Sequence, residues 1–245
     1  MLRGRLSPAL CVLLIALGVA TTSFAANAST CGGKAPSSVT TAKSMGDVYN
    51  QLASDGDESF PSYVAKLTYG TGDFAFTWQS HHSKYESQHS GPNVDTVVHT
   101  IAGPTVDVPW FNPTDETDEL RAERCVGFLR MYAGVGYLTT ASNYDYPLGY
   151  QHIRGPGVGV ERYADNTRRW DLFTALYYYP YARGGYGSRT LAFSTVTFDG
   201  GFRWRVASSG GVLFGLYQEI RELHPGTRVA QTVRVAPYLG YQFKL

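Results

Sequence analysis

The last stretch of the chain, Arg228 to Leu245, constrains the fold more than anything before it. Its odd positions run Val229, Gln231, Val233, Val235, Pro237, Leu239, Tyr241, Phe243 and Leu245. The even ones are Arg228, Ala230, Thr232, Arg234, Ala236, Tyr238, Gly240, Gln242 and Lys244. Strand side chains alternate between faces, so this period over about 18 residues predicts one extended strand with a greasy face and a polar or small face. Strands in soluble domains usually run about 5 or 6 residues. A strand that crosses a hydrocarbon layer needs about 9 to 11.

The same period recurs upstream between turn signals. Val212, Phe214 and Leu216 alternate with Leu213, Gly215 and Tyr217, just after the turn composition SSGG at 208–211. Val196, Phe198, Phe202 and Trp204 share a parity, and Leu191 and Phe193 take the other, which predicts a bulge near Ser194. Weaker alternations cover Trp170 to Tyr178, 149–163 and Leu129 to Tyr137. With 62–79 and 94–106 they make about eight strands, the even count expected of a closed single-chain membrane barrel. The phase changes across GTGD at 70–73, so 62–79 reads as one bulged strand or as two, and ten strands is the alternative. The expected fold is therefore all-β, a closed antiparallel transmembrane β-barrel. A soluble barrel or sandwich with the apolar face turned inward is the competing reading. Composition agrees with β structure, through 18 Tyr, 12 Phe and 4 Trp. With 21 basic against 20 acidic side chains and no Lys/Arg run, it offers no footprint for nucleic acid.

Residues 1–28 read as a cleaved secretory signal: Arg3 and Arg5, then the apolar Ala9 to Val19, then Ala26-Asn27-Ala28 as a small-x-small cleavage site. Residues 29–60, rich in Ser, Thr, Gly and Asp, read as a flexible periplasmic segment, with a short helix over Met45 to Leu52 as an option. The barrel is expected over 61–245. Cys11 leaves with the signal. Cys31 and Cys125 then either pair, as an oxidising compartment permits, or stay free.

The final residues Tyr238, Leu239, Gly240, Tyr241, Gln242, Phe243, Lys244 and Leu245 resemble the closing strand of Gram-negative outer-membrane β-barrel proteins. That family's assembly signal is a polar residue, then Gly two places on, an apolar or aromatic residue three further, and another at the terminus. Tyr238, Gly240, Phe243 and Leu245 fall at that spacing. They depart from it in Leu245, where Phe or Trp is commonest, and in Tyr238, which is only partly polar. The resemblance implies residence in the outer membrane and contact with membrane lipid and lipopolysaccharide. It also implies the barrel assembly machinery as a folding partner. It implies no single activity, because barrels of this size include adhesins, anchors, pores and lipid-modifying enzymes.

Candidate chemistry lies on the polar parity. Arg130, Arg203, Arg205, Arg221 and Arg234 stand against Glu161, Asp171, Asp199 and Glu219, which predicts a self-neutralising lumen network that plugs a narrow barrel. A narrow polar pore is the alternative. His81, His82, Glu86 and His89 fall in SHHSKYESQHSG, read as a loop. They are weak metal candidates without the spacing of a rigid helical pair, and no cofactor is expected. An acyl hydrolase or transferase acting on lipid A or phospholipid would need His152, His81 or His99 beside Ser142, Ser80 or Ser188. No GxSxG elbow is present, and no catalytic residue is assigned. GPGVGV at 155–160 reads as glycines making room in the lumen, and PWFNPTDETDEL at 109–120 as a solvated acidic loop.

Overall fold

The computed structural model describes residues 37–44, 47–51, 58–60, 62–84, 97–98, 106–107, 114–126, 130–142, 152–186, 189–223 and 230–245. Their elements are all strands: β1 (Ser38–Ser44), β2 (Asp47–Gln51), β3 (Glu58–Phe60), β4 (Ser62–Thr71), β5 (Phe74–Lys84), β6 (Val97–Val98), β7 (Val106–Asp107), β8 (Thr114–Cys125), β9 (Met131–Ser142), β10 (His152–Arg162), β11 (Trp170–Tyr186), β12 (Arg189–Ala207), β13 (Gly210–Leu223) and β14 (Ala230–Lys244). Ten of them, β1, β4, β5 and β8 to β14, pair antiparallel in that order, and β1 closes the sheet on β14 with Ser38 against Lys244 and Ser44 against Tyr238. Closure leaves no edge, which is what an apolar surrounding demands of a sheet. The ten-strand alternative is the one realised.

β2 and β3 extend this wall. β2 continues along β14 beyond β1 with a one-residue slip, Val48 meeting Val235, and β3 pairs with β2 just before β4 begins. Residues 38–60, read from the sequence as a tail, thus contain the strand that closes the barrel. The optional helix over Met45 to Leu52 is strand β2 where described. β1 was masked by composition: SVTTAKS has one large apolar side chain, Val39, because its inward Ser38, Thr40, Ala42 and Ser44 line a crowded lumen.

The other expectations fare differently. The 62–79 segment is two strands, folded at Gly72, whose φ of +57° suits glycine at this two-residue turn. Of the expected 94–106 strand only 97–98 and 106 are described, and they fall in the two-residue β6 and β7, which pair with each other in a separate sheet. The acidic 109–120 loop instead enters β8 at Thr114. β12 needs no bulge at Ser194, because Phe193 points inward and packs with Leu138, Ile153, Tyr177, Tyr179 and Ala182. The slip lies opposite, in β11, between Tyr179 and Ala182.

Followed around the ten strands, the register accumulates a stagger of about 12 residues before it closes. With about 3.3 Å per residue and 4.8 Å between strands, that stagger tilts the strands roughly 40° and gives a wall about 20 Å across. Such a lumen is wider than eight strands would leave, and large side chains must fill it. Connections at the end holding Ser38 and Lys244 are short (72–73, 126–130, 163–169 and 208–209), while 45–61 and 85–113 are long spans at the other end. Cys125, at the end of β8, is disulfide-bonded, and its partner lies outside the described residues.

Candidate functional site: the charged lumen

The inward face of β8 carries Thr117, Glu119, Arg121 and Glu123, all buried. Arg121 is the hub. Its Nη1 donates to Glu161 on β10 at 2.9 Å, its Nη2 and Nε donate to Glu119 Oε2 at 2.9 and 3.2 Å, and its guanidinium lies 4.5 Å from the centre of the Tyr177 ring. Lys66 on β4 reaches Glu161 at 2.5 Å and Asp199 on β12 at 3.8 Å. These contacts tie β4, β8, β10 and β12 together across the lumen. Planar forks that bond carboxylates on two strands set direction as well as charge balance.

Tyrosine hydroxyls complete the belt. Tyr179 donates to Glu119 at 2.6 Å and Tyr238 to Asp199 at 2.6 Å, and Tyr163 and Tyr177 both donate to Glu123. The rings occupy space that glycine leaves open: a Cβ at Gly157 would meet the Tyr179 ring at 2.3 Å, and one at Gly159 the Tyr177 ring at 2.5 Å. A second cluster has Glu219 between Arg221 at 2.7 Å and Arg234 at 3.9 Å, with Thr117 donating to it at 3.0 Å. His81 lies within 2.7 Å of Ser62 Oγ and against the Tyr217 ring, centroids 4.3 Å apart.

Of the nine charges read as a lumen network, Glu161, Asp171, Asp199, Arg203, Glu219, Arg221 and Arg234 are buried inside. Arg130 and Arg205 are not; both serve the connection 163–169 at the short-turn end. There Asp165 accepts from the Thr167 N–H at 2.8 Å and hydroxyl at 2.7 Å, pairs with Arg130 at 3.0 Å, and donates its own N–H to Asp171 at 2.6 Å. Arg205 donates to the Thr167 carbonyl at 2.7 Å, and Arg162 pairs with Asp171 at 2.8 Å. Burial pushes the Asp165 carboxyl up, but the Thr167 donors and Arg130 outweigh it and hold the group below the ordinary carboxylate range.

Sequence reasoning missed Lys66, Glu119, Arg121 and Glu123. The available signal was the inverted alternation of β8, charged on one parity against Leu120 and Ala122 on the other. His81 and His82 lie on β5, not in a loop, and as strand neighbours they face opposite sides, so they cannot share a metal. His89 and Glu86 lie outside the described residues, as do His99 and Ser188. The His81–Ser62 pair supplies a base beside a hydroxyl, but both are fully enclosed, so it is a packing contact. The glycines of 155–160 make room for tyrosine, as their pattern predicts. In the terminal group, Tyr238 and Gly240 lie on β14 against β1, with Tyr238 inward, and Phe243 and Leu245 are exposed.

The outside is the reverse of the lumen. Leu67, Phe74, Phe76, Trp78, Leu120, Val135, Tyr137, Val158, Leu172, Tyr178, Phe202, Phe214 and Leu239 are all exposed, on every barrel strand but β1. Trp170 and Trp204, register partners, stack at 5.2 Å near the short-turn end, and Tyr241 packs on Phe243 nearby, as an interfacial aromatic girdle would. A soluble barrel would bury this face and expose the other. The chain is a transmembrane β-barrel.

No protein-family model and no curated protein matches the sequence. Among solved structures it is similar to the Neisserial surface protein A (10% identity, TM-score 0.40, covering 87% of this chain and 99% of that one). It is also similar to the outer membrane protease OmpT from Escherichia coli (10%, TM-score 0.49, 87% and 98%). A third likeness is to OmpT, an outer membrane protein of Vibrio cholerae (11%, TM-score 0.31, 81% and 64%). The barrel's reading stands on its own closure, register and two faces.

Proposed function

We propose that this chain is a plugged structural barrel of a Gram-negative outer membrane with a role at the cell surface, exported by the cleaved segment 1–28. In this reading Tyr238, Gly240, Phe243 and Leu245 present the closing strand to the barrel assembly machinery. The short connections lie in the periplasm and the long spans 45–61 and 85–113 face outward, the usual orientation of such barrels. The observation that carries the plug is the hub at Arg121, where charges from β4, β8, β10 and β12 meet in the middle of the lumen and tyrosine rings fill the rest.

The test is conductance. Full-length mature protein is extracted in detergent, shown to migrate differently before and after heating, and inserted into planar bilayers. The expected result is an absence of stable large steps. Stable steps of constant size would replace the plug with a pore.

A further inference from the structure

At the end away from Ser38 and Lys244, the outer face sets two arginines side by side. Arg154 on β10 and Arg183 on β11 are direct register partners, and both are exposed between buried neighbours. Neither side chain forms an ion pair or hydrogen bond with another described residue. Like charges directly opposite on one sheet face repel, and outward charge beside lipid is costly away from the interface. No described carboxylate pairs with either guanidinium, and an anion from outside the chain would relieve the repulsion.

A backbone irregularity creates it. β11 holds one more residue than its neighbours between Tyr179 and Ala182, and the slip shows against both β10 and β12. Pro180 lies in that slip, one of the few places where an interior strand accommodates a residue without an N–H. Before it Tyr177 and Tyr179 point inward; after it Ala182 and Gly184 do. Were β11 regular through Pro180 and Tyr181, Arg183 would keep the inward odd parity of Tyr177 and Tyr179 and enter the lumen. With the irregularity, Arg183 turns out beside Arg154, and Tyr181, 79% exposed, shares that face. Further along the same two strands, Val158 and Tyr178 are register partners and both exposed, and Val160 continues the apolar rail.

We propose that Arg154 and Arg183, with Tyr181 beside them, bind a phosphoryl group on the headgroup of a membrane lipid in the leaflet at the long-loop end, its acyl chains lying along Val158, Tyr178 and Val160. Guanidinium forks match phosphate oxygens in pairs, and side chains at directly opposed positions start about 5 Å apart, close enough for both to reach one group. The apolar rail below the charges favours a lipid over a free anion. The site rests on the transmembrane reading and does not depend on the lumen being plugged.

The test uses the full chain folded in micelles and three probes: a doubly phosphorylated acylated glucosamine disaccharide, the same lipid dephosphorylated, and inorganic phosphate. The phosphorylated lipid should bind roughly ten to a hundred times more tightly than the dephosphorylated one, the loss expected for two charge-assisted contacts. The double variant Arg154→Gln, Arg183→Gln should bind both alike, and millimolar inorganic phosphate should not displace the lipid. Equal binding of the two lipids by the unaltered protein overturns the site, whether or not the variant folds. So does a folded variant that keeps the preference, and displacement by inorganic phosphate would show a free-anion site instead. Failure of the heat-modifiable protein to enter micelles would overturn the transmembrane reading and this site with it.

Discussion

Replacing Arg121 by Met should be among the most damaging single changes in the lumen. Arg121 is 3% exposed and makes three charge-assisted hydrogen bonds, at 2.9, 2.9 and 3.2 Å, to Glu119 and Glu161. Met fills most of its volume, so little of the effect is cavity. What changes is charge: Glu119, Glu123, Glu161 and Asp199 would remain around Lys66 as the nearest cation of the belt. Removing one partner from a buried, hydrogen-bonded ion pair typically costs about 3 to 5 kcal/mol, because the remaining charge is left without compensation. Lys66 already holds Glu161 and softens the loss there, whereas Glu119 loses both of its Arg121 bonds and keeps only hydroxyl donors, Tyr179 and Thr197. We therefore expect about 3 to 4 kcal/mol. The assay is urea unfolding of the reconstituted barrel, read by the fraction that keeps its heat-modifiable gel position. Arg121→Lys keeps the charge but loses the fork, and should recover about half of the loss. An Arg121→Met barrel within about 1 kcal/mol of the parent would refute the hub.

Gly157→Val should abolish the heat-modifiable folded form, since even a Cβ there would sit 2.3 Å from the Tyr179 ring and 2.6 Å from the Tyr178 carbonyl oxygen; normal folding would show that β10 and β11 can separate. Gln79 is buried with neither amide atom hydrogen-bonded, so Gln79→Met should be neutral or stabilising by about 1 kcal/mol in the same urea assay, and a clear loss would mean that the amide is held by bound water. Asp165 has a depressed pKa, so its contribution is present above the ordinary carboxylate value of 3.8 and lost as pH falls through the lower folded-state value. Hydrogen exchange at the Thr167 amide should accelerate across that acidic window in the parent, beyond the intrinsic pH effect, and Asp165→Asn should remove the excess pH dependence. Chain-brominated lipid should quench Trp78, which is exposed on the outer face, and full Trp78 emission in such lipid would contradict the orientation of the two faces.

The barrel was legible wherever an outward apolar row is unbroken. β13 and β14 are the clearest cases, because lipid demands large side chains outside while the lumen accepts anything that packs. Strands whose outward row is short of large apolar residues escaped notice: β1 presents Val39, Thr41 and Lys43 outward, and β8 starts with Glu116 and Asp118 beyond the apolar band. The same blind spot hid the hub. Glu119, Arg121 and Glu123 look like a surface charge run until β5 and β9 flank them, and Lys66 is one Lys in a strand whose partners lie almost 100 positions away. Phe193 misled in the opposite sense: an apolar residue in a polar lumen reads as lipid-facing, and its inward packing became visible only beside Leu138, Ile153 and Tyr179.

The glycine row of β10 has a consequence for how the barrel finds its size. Gly155, Gly157 and Gly159 are gaps and the β11 tyrosines are teeth, with Gly159 paired to Tyr177 and Tyr179 seated on Gly157. A slip of two residues preserves every inside and outside assignment, so the alternation alone would not forbid it. One such slip drives Tyr177 against Glu161; the other leaves both rings on glycine, at Gly157 and Gly155, but carries the Tyr177 hydroxyl away from Glu123 and the Tyr179 hydroxyl away from Glu119. Gaps and carboxylate partners together favour one setting, and because the stagger summed around the ring determines strand tilt and diameter, this one seam acts as a gauge for the calibre of the whole cylinder.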